Sequence, residues 1–435
     1  MNDNLSHQTK RKRKQIASKV EDSSYLPNTR TQQRDPHHPL SIYRHKPIDF
    51  AGLASLYPDF AVAWNAVKHR QHSKNDISFN SHVDSDFNVA LTRALLKEDF
   101  GLNLPCMPKG YLCPPVPNRL NYVCWLKQLL TKEREIDTSL VQIGDDDENF
   151  EIPNHARGID IGTGASCIYP LLLCKNFTTE NFVEAPREGS HNNQVWKFLA
   201  TDIDDDAITS AMQNVAANKL DNQILLCRVP PAPGNIRNES NAISAELSKK
   251  DNQGPIMSAI RAAENNINFF CSSPIASEPL MFDFCMTNPP FYSSYKEAST
   301  DRIGDGRKRT DMTFGEGVYY DGEVGFVSDM ISDSLKLRNR ITWYSSMVGR
   351  KSSLTILLNK LQMLGFVGRG NVVTTEFLQG KTTRWGIAWT FLEVPSRLSC
   401  EFVTKKVILG ALFMHFLHQT QLLHLVYISI MSCRP

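Results

Sequence analysis

Short apolar segments alternate with amphipathic helical segments between residues 158 and 391 of this 435-residue chain, and no other feature constrains the fold as strongly. Six segments have the length and composition of buried β-strands. They are Gly158–Ile161, Trp196–Thr201, Ile224–Arg228, Met281–Thr287, Ile341–Met347 and Trp385–Phe391. Between them, apolar residues recur at helical spacing, as at Ile208 and Ala211. The sequence therefore predicts an α/β fold with a mostly parallel sheet and helices on both of its faces.

The segments outside this alternation predict four regions. Residues 1–40 are polar and aperiodic, which predicts a disordered basic tail. Residues 41–135 have helical periodicity, and residues 150–395 contain the α/β domain. Two stretches near 175–194 and 231–278 are rich in Asn, Ser, Glu and Pro, so we expect mobile surface insertions there. Residues 396–435 form an apolar tail, which we interpret either as a buried or partner-packing helix or as sequence foreign to the native protein.

Composition narrows the possible partners and cofactors. The net charge is only +2, so a nucleic-acid surface would have to come from local clusters of basic residues. Ten cysteines include no C-x-x-C pair, which argues against a zinc site and a secreted disulfide scaffold, and we expect no metal. The C-terminal tail is interrupted by histidine and glutamine, which makes it a poor membrane span. The basic run Lys10–Lys14 is compatible with a nuclear localisation signal, with a contact to phosphates, or with a solvated disordered tail.

A glycine turn follows the first predicted strand. Asp160 ends that strand, Gly162 and Gly164 flank Thr163, and Ser166 precedes a helix. Glycines allow the backbone to turn sharply and let a ligand approach without meeting a Cβ atom. The third glycine of G-x-G-x-x-G is absent, so the turn suits an adenosine ligand better than a phosphate cradle. By itself, the motif is also compatible with a purely structural turn.

The second predicted strand ends in Asp202. This is the position at which an open α/β sheet offers a carboxylate to the hydroxyls of a ribose. The acidic residues that follow, Asp204–Asp206, are placed to cap the next helix and to favour its N-terminus electrostatically. We therefore assign Asp202 to a ligand and the rest to the helix.

The fourth predicted strand delivers Asn288, Pro289, Pro290 and Phe291 to the same edge of the sheet. The Asn288 amide oxygen and the Pro289 carbonyl can each accept one N–H of an exocyclic amine, which directs the nitrogen lone pair outward. Phe291 offers a face on which a flipped base can stack. These four residues are the predicted catalytic loop.

Taken in order, Gly162-x-Gly164, Asp202 and Asn288–Phe291 resemble the class I S-adenosylmethionine-dependent amine methyltransferases. Longer segments resemble the eukaryotic U6 snRNA adenine-N6 methyltransferase family, which is similar to bacterial large-subunit rRNA adenine-N6 methyltransferases. They include KPIDFAGLASLYPDF, PNRLNYVCWL, RGIDIGTGASCIYPLL, DFCMTNPPF and TTEFLQGKTTRWGIAWTF. The resemblance implies a Rossmann-like fold with a helical N-terminal lead-in, S-adenosyl-L-methionine as cofactor, and methyl transfer to N6 of an adenosine in U6 snRNA. It also implies a nuclear location, with the cytoplasm as a second one.

The resemblance also implies roles for individual residues. Arg119 would contact the methionine carboxylate of the cofactor, and Asp202, where the family commonly has glutamate, would hold its ribose. The remaining cofactor positions are Asp160, Gly162, Gly164, Ser166 and Asn288.

Basic residues beside the predicted active edge would bind the RNA backbone. They are Arg44, Lys46, Arg307, Lys308, Arg309, Arg350, Lys351, Lys381 and Arg384. Structured RNA is the expected partner, and no membrane partner is expected. Three alternatives remain open at this point: a protein-glutamine methyltransferase, a DNA-adenine methyltransferase, and an RNA-binding factor that acts mainly by occupancy.

Overall fold

The computed structural model describes ten segments of the chain: residues 35–72, 85–138, 155–175, 195–231, 254–271, 279–294, 297, 317–366, 371–379 and 382–392. The predicted basic tail up to residue 34, the predicted RNA contacts Arg307–Arg309 and Lys381, and the C-terminal tail lie outside them. So do residues 176–194, 232–253 and 272–278 of the predicted insertions.

In the part of the chain that the structure describes, four α-helices precede the sheet. They are α1 (Phe50–Leu56), α2 (Pro58–His72), α3 (Ser85–Phe100) and α4 (Val116–Thr138). The α/β part then runs in the following order: β1 (His155–Ile161), α5 (Ile168–Lys175), β2 (Val195–Asp202), α6 (Asp205–Ala217), β3 (Ile224–Arg228), α7 (Pro255–Asn265), α8 (Ile267–Phe270), β4 (Phe282–Thr287), α9 (Gly322–Leu337), β5 (Ile341–Val348), α10 (Lys351–Met363), β6 (Val372–Gln379) and β7 (Thr382–Trp389).

The strands form a seven-stranded sheet in the order β3-β2-β1-β4-β5-β7-β6. The first five are mutually parallel, whereas β7 runs antiparallel to both β5 and β6. The predicted α/β fold with a mostly parallel sheet is therefore confirmed. The strand order reverses between β1 and β4, and such a reversal opens a crevice at the carboxyl edge of the sheet.

The pairing register of β1, β2 and β4 brings the predicted motifs side by side at this edge of the sheet. Ile161, the last residue of β1, pairs with Thr201 of β2 and with Thr287 of β4. The residues that follow these positions are the glycine turn, Asp202 and Asn288. Parallel pairing therefore brings together three motifs that are far apart in the chain.

Two apolar layers cover the sheet. Phe198 and Ala200 of β2 face a cluster formed with the N-terminal helices and α5, whereas Leu199 between them faces a cluster formed with α7, α9 and α10. This alternation follows from the two-residue period of a strand. Both faces are buried, as expected for a parallel sheet.

The predicted insertion near 231–278 is partly wrong. Residues 255–270 form α7 and α8, and α7 buries Ile256, Ala259, Ile260 and Ala263 against the sheet. Their spacing is that of one helix face. Polar residues on both sides obscure this short pattern in the sequence, and the burial of that face is what makes the segment part of the core.

Candidate functional site

A cleft opens at the carboxyl edge of the sheet, between the ends of β1, β2 and β4. The free space in it is about 970 Å³ and includes space that is open to solvent. Leu112 and Pro114 line it from the lead-in, and Pro255 and Ser258 line it from α7. Seven residues of the predicted site also line it: Arg119, Gly162, Gly164, Ser166, Asp202, Asn288 and Pro290. Asp160, Pro289 and Phe291 are not among its lining residues.

The glycine turn adopts the conformation that its sequence predicts. Gly162 and Gly164 have φ of 73° and 64°, in the left-handed region that glycine occupies without strain. The amides of Gly162 and Thr163 both donate to the Thr201 carbonyl at 2.9 Å, so the turn is tied to the end of β2. A Cβ atom at Gly162 would meet no atom within 4 Å. Glycine is therefore needed there for the backbone conformation and leaves the cleft open.

Asp202 is held in place by the backbone on both sides. Its Oδ2 accepts the Gly164 amide at 2.9 Å, and its Oδ1 accepts the Asp204 amide at 3.0 Å. Burial raises the pKa of Asp202, and these hydrogen bonds oppose that effect. Each carboxylate oxygen can accept more than one hydrogen bond, so both remain able to accept ligand hydroxyls.

Asp204 caps the N-terminus of α6, as the sequence predicts. Its side chain accepts the amides of Asp206 and Ala207. It also accepts the hydroxyl of Tyr111 at 2.9 Å, which ties the lead-in to the same edge of the sheet. Sequence reasoning missed this contact of Tyr111, because a tyrosine in a proline-rich loop carries no local signal for it.

Asp160 lies behind the turn rather than on the wall of the cleft. It is fully buried, and neither of its carboxylate oxygens has a hydrogen-bond partner among the described residues. Burial raises the pKa of Asp160 to about 7; Thr163 and Arg119 lower it, and Asp202 raises it further.

Arg119 projects from α4 and is almost completely buried. Its Nη1 donates to the Tyr169 hydroxyl at 3.0 Å, and its guanidinium lies 5.6 Å from the centroid of the Tyr169 ring. Its Nε is buried and has no partner among the described residues. A buried cationic donor without an acceptor fits an anionic group of a ligand. Tyr169 was missed in the sequence because it reads as an apolar core residue of α5.

Asn288 begins the predicted catalytic loop directly after β4. Its Oδ1 is buried and has no hydrogen-bond partner among the described residues. The loop is joined to the glycine turn through Thr287, whose Oγ1 donates to the Ile161 carbonyl at 2.7 Å. The Asn288 oxygen is therefore an available acceptor on the wall of the cleft.

Phe291 packs against the turn that follows β5. A Cβ atom on Gly349 would lie 2.6 Å from Phe291 Cδ1, so only glycine allows this approach. Arg384, predicted to bind RNA, lies with its guanidinium carbon 5.3 Å from the centroid of the Phe291 ring. Its Nη1 donates to the Gly349 carbonyl at 2.7 Å. The structure thus brings Arg384 to the catalytic loop.

The other described basic residues divide into two groups. Arg350 and Lys351 are exposed at the start of α10, and Arg350 Nη2 pairs with Glu297 at 2.8 Å. Arg44 and Lys46 are exposed in the lead-in, where Lys46 pairs with Asp99 at 2.7 Å.

No group of three or more histidine, cysteine, aspartate or glutamate residues that could hold a metal ion occurs in the segments that the structure describes. Within those segments, no helix combines the length and the apolar character needed to cross a bilayer.

The sheet order and the cleft at its switch point define a Rossmann-like methyltransferase fold, and two solved structures support this. The human Mettl16 catalytic domain in complex with MAT2A 3′UTR hairpin 1 aligns with a TM-score of 0.54 and 30% identity, covering 82% of this chain and 96% of that one. The N-terminal domain of human METTL16 in complex with SAH aligns with a TM-score of 0.50 and 31% identity, covering 82% and 99%.

An RNA methyltransferase family model matches residues 31–238 and 237–393, so the chain belongs to this RNA methyltransferase family. Mouse RNA N(6)-adenosine-methyltransferase METTL16 is 34% identical over 372 residues, which are 82% of this chain and 52% of that protein. The Dictyostelium discoideum U6 small nuclear RNA (adenine-(43)-N(6))-methyltransferase is 31% identical over 369 residues, with 85% and 57% covered. The chain thus spans somewhat more than half the length of these relatives. The resemblance predicted from the motifs is confirmed.

Proposed function

We propose that this chain transfers a methyl group from S-adenosyl-L-methionine to N6 of an adenosine in a structured RNA, with U6 snRNA as the first substrate to test. One observation carries the proposal: in the same cleft lie the Asn288 oxygen and the Arg119 Nε, neither of which has a partner among the described residues, and the Asp202 carboxylate. The Asn288 oxygen matches an amine to be methylated, Arg119 matches a carboxylate, and Asp202 matches a ribose. The names of the relatives point to the same chemistry and to U6 snRNA.

The residues of the cleft fit the cofactor. Arg119 would hold its carboxylate through the unpaired Nε, Asp202 would accept the ribose hydroxyls, and Gly162 would leave room for the ligand. When bound, the cofactor supplies a methyl group on a positively charged sulfonium, from which a nucleophile can remove it.

The catalytic loop would prepare the nucleophile. The lone pair of an adenine amine is delocalised into the ring, which makes the amine a poor nucleophile. If Asn288 Oδ1 and the Pro289 carbonyl each accept one N–H, the nitrogen is drawn towards a pyramidal geometry. The two prolines keep that carbonyl rigid. Phe291 would hold the flipped base by stacking, which contributes about 1–3 kcal/mol.

Exposed basic residues beside the catalytic loop and on the lead-in support an RNA substrate. Arg350 and Lys351 are exposed beside Gly349, which contacts Phe291, and Arg44 and Lys46 are exposed on the lead-in. Exposed cations of this kind neutralise backbone phosphates. In a single-stranded or extruded adenosine, the base could enter the loop while the neighbouring phosphates contact these cations.

Substitution of Asn288 tests the catalytic role. We expect Asn288→Ala to lower methyl transfer to U6 snRNA by at least about a hundredfold, because one of the two acceptors for the amine is lost. Affinity for S-adenosylhomocysteine and for RNA should stay within about threefold of the wild type. Asn222→Ala, at an exposed turn, is the matched control and should remain fully active.

The substrate class is tested with radiolabelled cofactor and matched pools of RNA, DNA and protein. Label on RNA, mapped to N6 of adenosine, supports the proposal. Label on protein or DNA alone would contradict it and favour the alternative acceptors. RNA binding by a wild-type chain that transfers no methyl group would favour an RNA-binding factor.

We also propose a nuclear location, on the basis of the basic run Lys10–Lys14 and of the U6 snRNA named for several relatives. Microscopy of the tagged chain tests this. Replacement of the five basic residues by glutamine should redistribute the protein to the cytoplasm. An unchanged nuclear signal would show that the run is not the nuclear localisation signal.

A further inference from the structure

Glu323 is a buried carboxylate that no step of the proposed reaction uses. It is 2% exposed and lies in the first turn of α9. Its Oε2 accepts the Gly349 amide at 2.5 Å, and its Oε1 accepts the Arg350 amide at 3.0 Å. One side chain of α9 therefore holds the turn between β5 and α10. The N-termini of α9 and α10 are both favourable places for a negative charge.

The turn that Glu323 holds is the surface against which Phe291 packs. Gly349 touches the edge of the ring so closely that a Cβ atom would overlap it, at 2.6 and 2.7 Å from two ring carbons. The Gly349 carbonyl also accepts the guanidinium of Arg384, which lies over the same ring. Glu323 thus holds Gly349, and Gly349 holds Arg384. Both of these contacts with the Phe291 ring therefore depend on Glu323.

The residue before Glu323 supports the other side of the loop. Gly322 has φ of 59°, and a Cβ atom there would lie 2.9 Å from the Phe291 carbonyl oxygen. Tyr292 is bonded to the same region, because its amide donates to the Gly317 carbonyl and its carbonyl accepts the Tyr319 amide, each at 2.9 Å. The start of α9 is therefore packed directly under the backbone of the catalytic loop.

An ion pair closes this arrangement into a ring of contacts. Arg350 pairs with Glu297, and Glu297 accepts both the amide and the hydroxyl of Ser293 at 2.8 and 2.6 Å. Burial pushes the pKa of Glu297 upward, but the hydrogen bonds from Ser293 and the pairing with Arg350 outweigh it and lower the pKa. The turn at Gly349–Arg350 is thus joined to the Phe291 ring directly and, through Glu297, to Ser293 two residues further along the loop.

We propose that Glu323 is a positioning residue for base stacking: through Gly349 it holds the Phe291 ring where the target adenine stacks. This inference rests on the proposed function, because it assigns a task to a residue that touches neither the cofactor nor the base. A carboxylate suits the task because it can accept two backbone amides at once. Glutamine keeps the size of the side chain but replaces one acceptor oxygen by an NH2 group. That group would face a backbone N–H, which is also a donor.

Kinetics and cofactor binding of the full chain test the proposal. For Glu323→Gln we expect kcat to fall by about tenfold to a hundredfold, because small displacements of a stacked substrate are costly. KM for the RNA should change by less than about threefold, and the Kd for S-adenosylhomocysteine by less than about twofold. Gly349→Ala should give the same pattern, since its Cβ displaces the ring directly. Glu264→Gln, which breaks an exposed ion pair with Arg340, is the matched control.

A spectroscopic readout separates positioning from stability. The adenosine that the wild type methylates is replaced by 2-aminopurine, which is dim when stacked on an aromatic ring and bright when flipped without a stacking partner. Complexes of Glu323→Gln and Gly349→Ala should be brighter than the wild-type complex. A lower unfolding midpoint with wild-type kcat and brightness would overturn the positioning role alone. A wild type that methylates no RNA adenosine would overturn the proposed function and this inference together.

Discussion

Single unpaired atoms determine what the site can bind. Asp160 has two carboxylate oxygens without a partner among the described residues, and Arg119 and Asn288 each have one such polar atom. A buried polar atom without a hydrogen bond costs about 1–3 kcal/mol. Among the described residues, this cost is therefore carried at the edge of the cleft, so a ligand that satisfies Arg119 and Asn288 should stabilise the fold as well as react in it.

The raised pKa of Asp160 predicts a pH dependence of stability. Its pKa is about 7 in the folded state and 3.8 in an unperturbed carboxyl, so the folded state keeps a proton that the unfolded chain has released. The free energy of unfolding therefore decreases as pH rises between these values, by about 2 kcal/mol from pH 5 to pH 7. Asp160→Asn cannot titrate, and its unfolding free energy should lack this decrease.

Urea unfolding of the ligand-free protein between pH 5 and pH 8 measures the difference. Asp59→Asn, on the exposed first turn of α2, should follow the wild type. Parallel pH profiles of Asp160→Asn and the wild type would show that the carboxyl is ionised in the folded state throughout this range.

At the scale of elements, a side chain of α9 caps the N-terminus of α7. The N-cap residue of α7 is Gly254, which has no side chain with which to cap the helix. Asp333 of α9 supplies the missing acceptor: it is buried, and it accepts the amides of Gly254, Ile256 and Met257 at 3.0–3.1 Å. Burial raises the pKa of Asp333, and these backbone bonds oppose the rise. Pro255 and Ser258 of α7 line the cleft, so Asp333 helps to hold the wall of the cleft in place.

Removal of this cap should affect both stability and the cleft. We expect Asp333→Ala to lower the free energy of unfolding by about 2–4 kcal/mol, because two buried amides and one partly buried amide lose their acceptor. Affinity for S-adenosylhomocysteine, measured by calorimetry, should fall because α7 loses its anchor. Asp205→Ala, which removes an exposed partner of Arg228 at 3.4 Å, is the control and should change stability by less than about 0.5 kcal/mol. Equal effects of the two substitutions would refute the capping role.

At the scale of the whole molecule, the N-terminal helices belong to the same core as the sheet. Tyr122 of α4 hydrogen-bonds Ser345 of β5 at 3.0 Å, and Trp125 meets Phe377 of β6 edge to face at 5.9 Å. The described residues from Pro36 onward group into one unit. Arg119, on the same helix, reaches the cleft only because this packing holds α4 against the sheet.

A large-to-small change in α4 should therefore destabilise the whole α/β fold. We expect Trp125→Ala to cost about 3–5 kcal/mol, as for a fully buried aromatic residue. Unfolding should remain a single transition when it is followed both by circular dichroism and by fluorescence. Leu56→Ala, at a largely exposed position of α1, should cost less than about 1 kcal/mol. Separate transitions for the helices and the sheet would contradict a common core.

Local chemistry was enough to predict much of this fold. The strands from β1 to β5 appear where apolar runs end at polar or glycine residues, because a buried strand needs that composition over a few residues. The strand β6 was missed, since Val372–Gln379 mixes buried and half-buried positions with two threonines and a glutamate. The helix α7 was missed because its short apolar face lies between polar stretches.

The sequence by itself determined the motifs at the carboxyl edge, since the turn at Gly162, the carboxylate at Asp202 and the loop at Asn288 each depend on a few adjacent residues. Only the tertiary structure decided which atoms remain unpaired there, and which distant residues hold them. Glu323, Asp333 and Tyr169 act across long stretches of chain, and nothing in their neighbouring residues marks them. The physical reason is that backbone conformation follows from local sterics, whereas burial and hydrogen-bond partners depend on packing between segments that meet only in the folded chain.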